Sequence, residues 1–297
     1  MLESLKFLQA ELPWFPYLSA FVFGAIVGSF LNVCIYRIPA GKSLVHPGST
    51  CACGKPIAWH DNIPILSWFI LRGKARCCGR PYSFRYPMIE LLTGLLFLAA
   101  WNAHQDAPLK ALCIMLLVSM LVCGSFIDFD IMEIPNRFSV GLAIIGFAIS
   151  VFIPSLHLST NQTYAAPPLF SAVESGMGVL IGSGVILWIA LIAETILRKE
   201  AMGFGDVKLL GGIGAFLGWQ GAVFSIFGGA LLGLIGVVAW KLAGAIASKN
   251  KSKEEESELF GRHIPFGPML SSGALLYTLL LENQVDAYFR QVTSLFQ

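Results

Sequence analysis

Gly203-Phe204-Gly205-Asp206-Val207-Lys208 opens a run, residues 209–240, that contains no charged residue. As helix, that run would be about 48 Å long at 1.5 Å per residue, against a bilayer core of about 30 Å. One span cannot use it. Gly218-Trp219-Gln220-Gly221 offers a natural break, so the reading is a short helix followed by a longer one ending near Ala247. An ionisable group at the end of a membrane helix is costly to place and functional by default, which singles out Asp206.

The rest of the chain agrees with a membrane setting. Of its 297 residues, 56% are apolar and 13% charged, where a soluble domain carries about 25% charged residues. Long solid apolar runs exclude a β-barrel, which needs short alternating segments. The fold class is therefore all-α and polytopic, with about eight transmembrane helices. Residues 12–36 form the first, with Gly24 and Gly28 spaced for close helix packing. The others are read at 87–103, 108–127, 135–154, 173–196, the two halves of the long run, and 265–281. Residues 1–11 are polar and are not read as a secretory signal. The domain reading is 1–36 as first span, 37–85 as a polar loop domain and 86–297 as the transmembrane core.

Charge fixes the orientation. With eight spans, all 20 Lys and Arg except Lys6, Lys110 and Arg290 fall on one side. The positive-inside rule makes that side cytoplasmic and both termini periplasmic. Asn161-Gln162-Thr163 matches a glycosylation sequon by chance, and 249–258 reads as a solvated linker.

The same topology brings a second acidic stretch to the cytoplasmic boundary. Asp128-Phe129-Asp130-Ile131-Met132-Glu133-Ile134-Pro135-Asn136 ends the third span, and Asp206 begins the sixth. Two carboxylates sharing a partly dehydrated site cannot both ionise easily, so one keeps its proton. An acid and a base at one pH can activate water and protonate a leaving amine. Gly203 and Gly205 leave the adjoining backbone approachable by an extended substrate. The plainer alternative makes Asp206 a helix cap and Asp128 a solvated loop residue. A rival uses Asp128, Asp130 and Asp206 to hold Mg²⁺ for a membrane transferase. Glu90 either enters the active cavity or sits at the interface beside Arg85; Glu194 and Glu200 read as interfacial.

Seven cysteines are present. Cys34, Cys113 and Cys123 lie in apolar runs and read as packing residues. Cys51, Cys53, Cys77 and Cys78 lie in the polar loop, and in a reducing compartment they suggest a metal before disulfides. Four thiolates suffice for a tetrahedral Zn²⁺, with His46 or His60 as possible replacements. The metal would supply folding energy to a loop with little core.

These residues resemble a family. Gly28-Ser29-Phe30-Leu31-Asn32-Val33-Cys34-Ile35-Tyr36-Arg37-Ile38-Pro39 is similar to the opening signature of bacterial type IV prepilin peptidases. So are Asp61-Asn62-Ile63-Pro64, Leu71-Arg72-Gly73-Lys74, and Arg85-Tyr86-Pro87 through Thr93-Gly94. The stretches from Ile127 to Asn136, from Glu200 to Leu209, and Ile264-Pro265-Phe266-Gly267-Pro268 complete the set in family order. The resemblance implies a GxGD-type intramembrane aspartic protease of the bacterial inner membrane. Such enzymes remove the basic leader of type IV prepilins or type II secretion pseudopilins on the cytoplasmic side. Asp128 and Asp206 match the family's catalytic aspartates. The long loop implies a second activity, N-methylation of the new terminus with S-adenosylmethionine. Prepilins and lipid are thus the implied partners, with no nucleic acid among them; a non-enzymatic scaffold of a secretion machine is the non-catalytic rival. One departure stands out. The family shows C-x₂-C twice, whereas here the first pair lacks a residue and Ala75 stands where the third cysteine is expected.

Overall fold

A computed structural model describes residues 11–158, 165–198, 202–247 and 265–295, without the side chains of 240–247. The sequon and the 249–258 linker lie outside them, as does Glu200. The described residues are helical, with no strand among them beyond two isolated bridges in the polar loop. The helices are α1 (Trp14–Arg37), α2 (Leu66–Ile70), α3 (Arg85–Ala103), α4 (Pro108–Ile131), α5 (Asn136–Phe152), α6 (Pro167–Leu197), α7 (Phe204–Ala247), α8 (Gly267–Leu276) and α9 (Glu282–Ser294).

Five stretches are long and apolar enough to cross a membrane: α1, α3, α4, α6 and Phe204–Ala239 of α7. The protein is a helical membrane protein on that ground. The other expected spans correspond to shorter pieces. Helix α5 has 17 residues. Helix α7 is interrupted at Gly218, whose φ of 70° and ψ of −178° suit glycine alone. Helix α8 has 10 residues and runs on through a π-helical turn, Tyr277–Leu281.

Two boundaries moved for physical reasons. Helix α6 begins at Pro167, earlier than its polar flank suggested, because two prolines fit a first helical turn. Helix α4 runs to Ile131, four residues into the acidic stretch read as a loop. Met132 then stops it in a left-handed conformation, its N–H donating to the Asp128 carbonyl.

The chain forms two compact units, Met1–Ile127 and Asp128–Gln297. In the first, α1 lies on α3 with backbone nearly touching side chain. A Cβ at Gly24 would stand 2.7 Å from Phe97 Cβ, and one at Gly28 would stand 2.8 Å from Glu90 Cα. The spacing read as a packing seam is one. In the second unit α7 is central and packs against α5, α6 and α8. Ser175 on α6 donates to the Ala215 carbonyl on α7 at 2.9 Å. In apolar surroundings such a bond has no water to compete with it.

Candidate functional site: an aspartate pair and a thiol cluster

In the second unit, Asp128 and Asp206 are 5% and 8% exposed. Asp128 stands in the last turn of α4, and Asp206 in the first turn of α7. Each therefore sits on rigid helix, not in a loop or at a cap position. They are close enough for the charge of Asp128 to act on Asp206. Burial excludes the reading of Asp128 as a solvated loop residue.

A third element completes the surroundings. The Gly267 N–H, opening α8, donates to Asp128 Oδ2 at 3.2 Å. A helix N-terminus carries unsatisfied amides and a partial positive charge, which suits a carboxylate. The fit admits only glycine, since a Cβ at 267 would lie 2.7 Å from that same oxygen. Ile134 fills the space between, 2.9 Å from the Gly267 Cβ position and 3.5 Å from that of Gly205. The two glycines beside Asp206 thus differ. Gly203 is open apart from Asp206 itself, whereas Gly205 is a packing contact.

Lys208 does not join the pair. Its ammonium donates to Asn136 Oδ1 at 2.9 Å and lies over the Phe204 ring, 5.5 Å from the centroid. Asp130 is exposed. Among the described residues, Asp128, Asp130 and Asp206 do not gather into a three-ligand metal cluster.

The first unit carries the thiols. Cys51, Cys53, Cys77 and Cys78 hold their sulfurs within 4.8 Å of one another and are the group of four that could take a metal. Cys51 Sγ is 3.6 Å from Cys78 Sγ, and Cys53 Sγ is 3.4 Å from Cys77 Sγ. Tetrahedral Zn–S bonds of about 2.3 Å put sulfurs about 3.8 Å apart, so the donor set fits zinc. Neither His46 nor His60 belongs to the group. The Cys53 amide, with the Cys77 and Cys78 thiols, draws the Cys51 thiol down to about 7, toward the thiolate that binds metals. Cys77 is pushed up to about 12 by Cys51 and Cys53.

Two short turns build the cluster, and they explain the odd spacing. In one, Thr50 bridges Pro56, Cys51 N–H donates to the Lys55 carbonyl, and Gly54 takes a φ of 83°. In the other, Lys74 bridges Pro81, Ala75 N–H donates to the Arg80 carbonyl, and Gly79 takes a φ of 69°. Ala75 thus occupies the place that Cys51 has in the first turn. The second turn is longer by one residue, which carries Cys77 into reach of Cys53. Arg76 ties it down, its guanidinium gripping Asp61 at 2.8 and 2.9 Å. That pair holds the Asp61 carboxyl below the usual range.

Glu90 on α3 is half-buried and accepts the Ile65 N–H at 2.7 Å. It faces the loop of its own unit, settling neither of the readings offered for it. Sequence reasoning missed this bond and the Gly267 donor. The available signals were the Arg85 to Gly94 and Pro265-Phe266-Gly267-Pro268 motifs, which hold Glu90 and Gly267 without their partners.

Residues 22–104 match the family model of the bacterial peptidase A24 N-terminal domain, and residues 115–238 that of the type IV leader peptidase family. A Klebsiella pneumoniae protein named prepilin leader peptidase/N-methyltransferase is 36% identical over 231 residues, 74% of this chain and 94% of that relative. The chain belongs to the type IV leader peptidase family. Family members of the same printed name include one from Aeromonas hydrophila, 33% identical over 88% of this chain and 89% of the relative. One from Myxococcus xanthus is 37% identical over 75% of this chain, which spans 64% of that relative's length. No solved structure matches the chain.

Proposed function

We propose that the protein is an intramembrane aspartic endopeptidase that removes the leader of type IV prepilins or type II pseudopilins, and that it also N-methylates the new terminus. The observation that carries the reading is a buried pair of carboxylates, each on its own helix end, with the charge of Asp128 acting on Asp206. Membership of the leader peptidase family supports it, as do the relatives' printed names.

The chemistry follows from the pair. The ionised carboxylate takes a proton from water as the oxygen attacks the scissile carbonyl. The protonated one gives its proton to the departing amine. The Gly267 amide fixes Asp128 through this cycle, and the open side of Gly203 leaves a path for the substrate strand to Asp206. Methyl transfer draws on S-adenosylmethionine as donor. Cys51, Cys53, Cys77 and Cys78 hold one structural Zn²⁺ that organises the loop.

The site faces the cytoplasm of a bacterial inner membrane, with eight spans and both termini periplasmic. The lopsided Lys and Arg distribution supports this. A membrane-impermeant thiol label applied from outside intact cells then leaves Cys53 and Cys77 unmodified; labelling there inverts the topology. The activity itself is tested by incubating purified protein with a prepilin peptide and S-adenosylmethionine. Leader loss and methyl gain appear as separate product masses. A full-length peptide after long incubation refutes the peptidase reading, and a cleaved but unmethylated product refutes the second activity.

A further inference from the structure

The first unit encloses a cavity of about 1080 Å³. That is just above the roughly 300–1,000 Å³ usual for small-molecule sites. Its walls come from α1, from α2 and α3, and from the loop with both cysteine turns. Three of their features are independent of one another.

Glu90 lines the cavity and is held there by the Ile65 N–H, which it accepts at 2.7 Å. No Lys, Arg or His pairs with it among the described residues. Its acidic neighbour Asp61 is satisfied by the Arg76 fork, so Glu90 is the carboxylate of the cavity without a cation. The backbone that reaches it is strained. Ile65 takes φ 64° and ψ −56°, and Leu66 N–H donates to the Pro64 carbonyl at 2.6 Å, a tight γ-turn. A β-branched residue at positive φ is an outlier, and such outliers mark sites whose surroundings over-determine them.

At another point of the wall stands Arg37. Its guanidinium donates to the Ser43 and Gly48 carbonyls and meets no carboxylate among the described residues. Tyr82, Tyr86 and Trp68 supply aromatic surface to the same cavity.

Resting on the methyltransferase reading, we propose that this cavity is the S-adenosylmethionine site, with Glu90 facing the ligand's cationic centre, Arg37 its carboxylate, and Tyr82 and Tyr86 the purine. That ligand carries a sulfonium, an ammonium, a carboxylate and a flat ring. A sulfonium has no N–H or O–H to donate, so a carboxylate and aromatic faces are what recognise it. The basic leader of a prepilin has a different chemistry. It brings cations only, and Arg37 opposes them.

The test uses full-length protein in detergent and the product analogue S-adenosylhomocysteine together with S-adenosylmethionine, measured by equilibrium binding. Glu90→Gln keeps side-chain shape and removes the charge. It weakens S-adenosylmethionine binding at least about tenfold, the loss expected for a hydrogen-bonding or charge contact to an ionised group. The neutral thioether analogue loses less, because the missing charge is the one the sulfonium needs. Glu90→Asp recovers part of the affinity. Unchanged thermal unfolding of the variants shows that folding is not the cause. In unmodified protein, ultraviolet cross-linking of methyl-labelled S-adenosylmethionine labels the peptide that contains Tyr82 and Tyr86.

Equal affinity of the Glu90→Gln and unmodified proteins overturns the assignment, as does label found only outside residues 29–90. Competitive displacement by an uncleavable leader peptide also overturns it and gives the cavity to the leader. In all three cases methyl transfer by the unmodified protein stands. If the unmodified protein neither binds the donor nor transfers methyl, the methyltransferase reading falls first and takes this assignment with it.

Discussion

Asp128 and Asp206 are 5% and 8% exposed and stand on helices α4 and α7, whereas Cys53, Cys77 and Cys78 are exposed on turns of a few residues. The aspartates are positioned by packed helix, by the Gly267 amide and by the wedge of Ile134. The thiols are positioned by two backbone bridges and one Arg–Asp clamp. One site is held by burial and the other by short turns and a surface ion pair. Disturbance should follow the same division: changes to the pair act on chemistry, and changes to the thiols act on loop order.

The largest expected effect comes from the pair itself. Asp128→Asn and Asp206→Asn each lower leader cleavage roughly 10³-fold, since Asn keeps the shape but cannot cycle a proton. Purified variants should elute and unfold like the parent. Normal processing of a prepilin peptide by either one would end the aspartic reading.

Next is Gly267→Ala. The new methyl would lie 2.7 Å from Asp128 Oδ2, so the carboxylate or the start of α8 must move. A displacement of about 1 Å at reacting groups costs about 10²-fold in rate. Single-turnover cleavage measures it. Full activity would show that the Gly267 contact is incidental.

A smaller effect on cleavage separates the two sites. Changing Cys51 and Cys53 together to Ser removes two of four ligands. Elemental analysis should fall from about one zinc per chain, the stoichiometry of a four-ligand site, to none. Methylation should drop more than cleavage, because helices α4 and α7 do not draw their positions from the loop. Equal loss of both activities would contradict the separation. Metal-free protein with full methylation would remove zinc from the account.

Gly28→Ala on the α1–α3 seam is the mildest. Its methyl would approach Glu90 Cα to 2.8 Å, an overpacking that costs about 1–3 kcal/mol. A lower melting temperature with the zinc content unchanged is the expected result.

Much of the fold was legible because long uncharged runs have few alternatives in a membrane. Gly218 was readable as a break from length alone, as residues 209–240 exceed one bilayer. Helix α9 was not legible. Glu282, Asn283, Gln284 and Asp286 look like a solvated tail, and tertiary contacts such as Trp219 against Phe289 and Tyr277 donating to Asp286 lie beyond any local pattern. At the site, the sequence marked Asp128 and Asp206 because charge is rare in such runs. A motif marked Gly267, but not as a donor to the pair, because nothing local links residue 267 to residue 128. The thiol spacing looked irregular in one dimension. In three dimensions one turn is longer by one residue, and Cys77 faces Cys53 where Ala75 cannot.

The Gly267 amide has a consequence for biogenesis. Both aspartates are in the nascent chain once residue 206 is made, but the donor that steadies Asp128 comes 61 residues later. A nascent enzyme stalled before α8 carries both carboxylates without the group that orients one of them. On the proposed mechanism, cleavage by this pair waits for α8, made after both α4 and the start of α7.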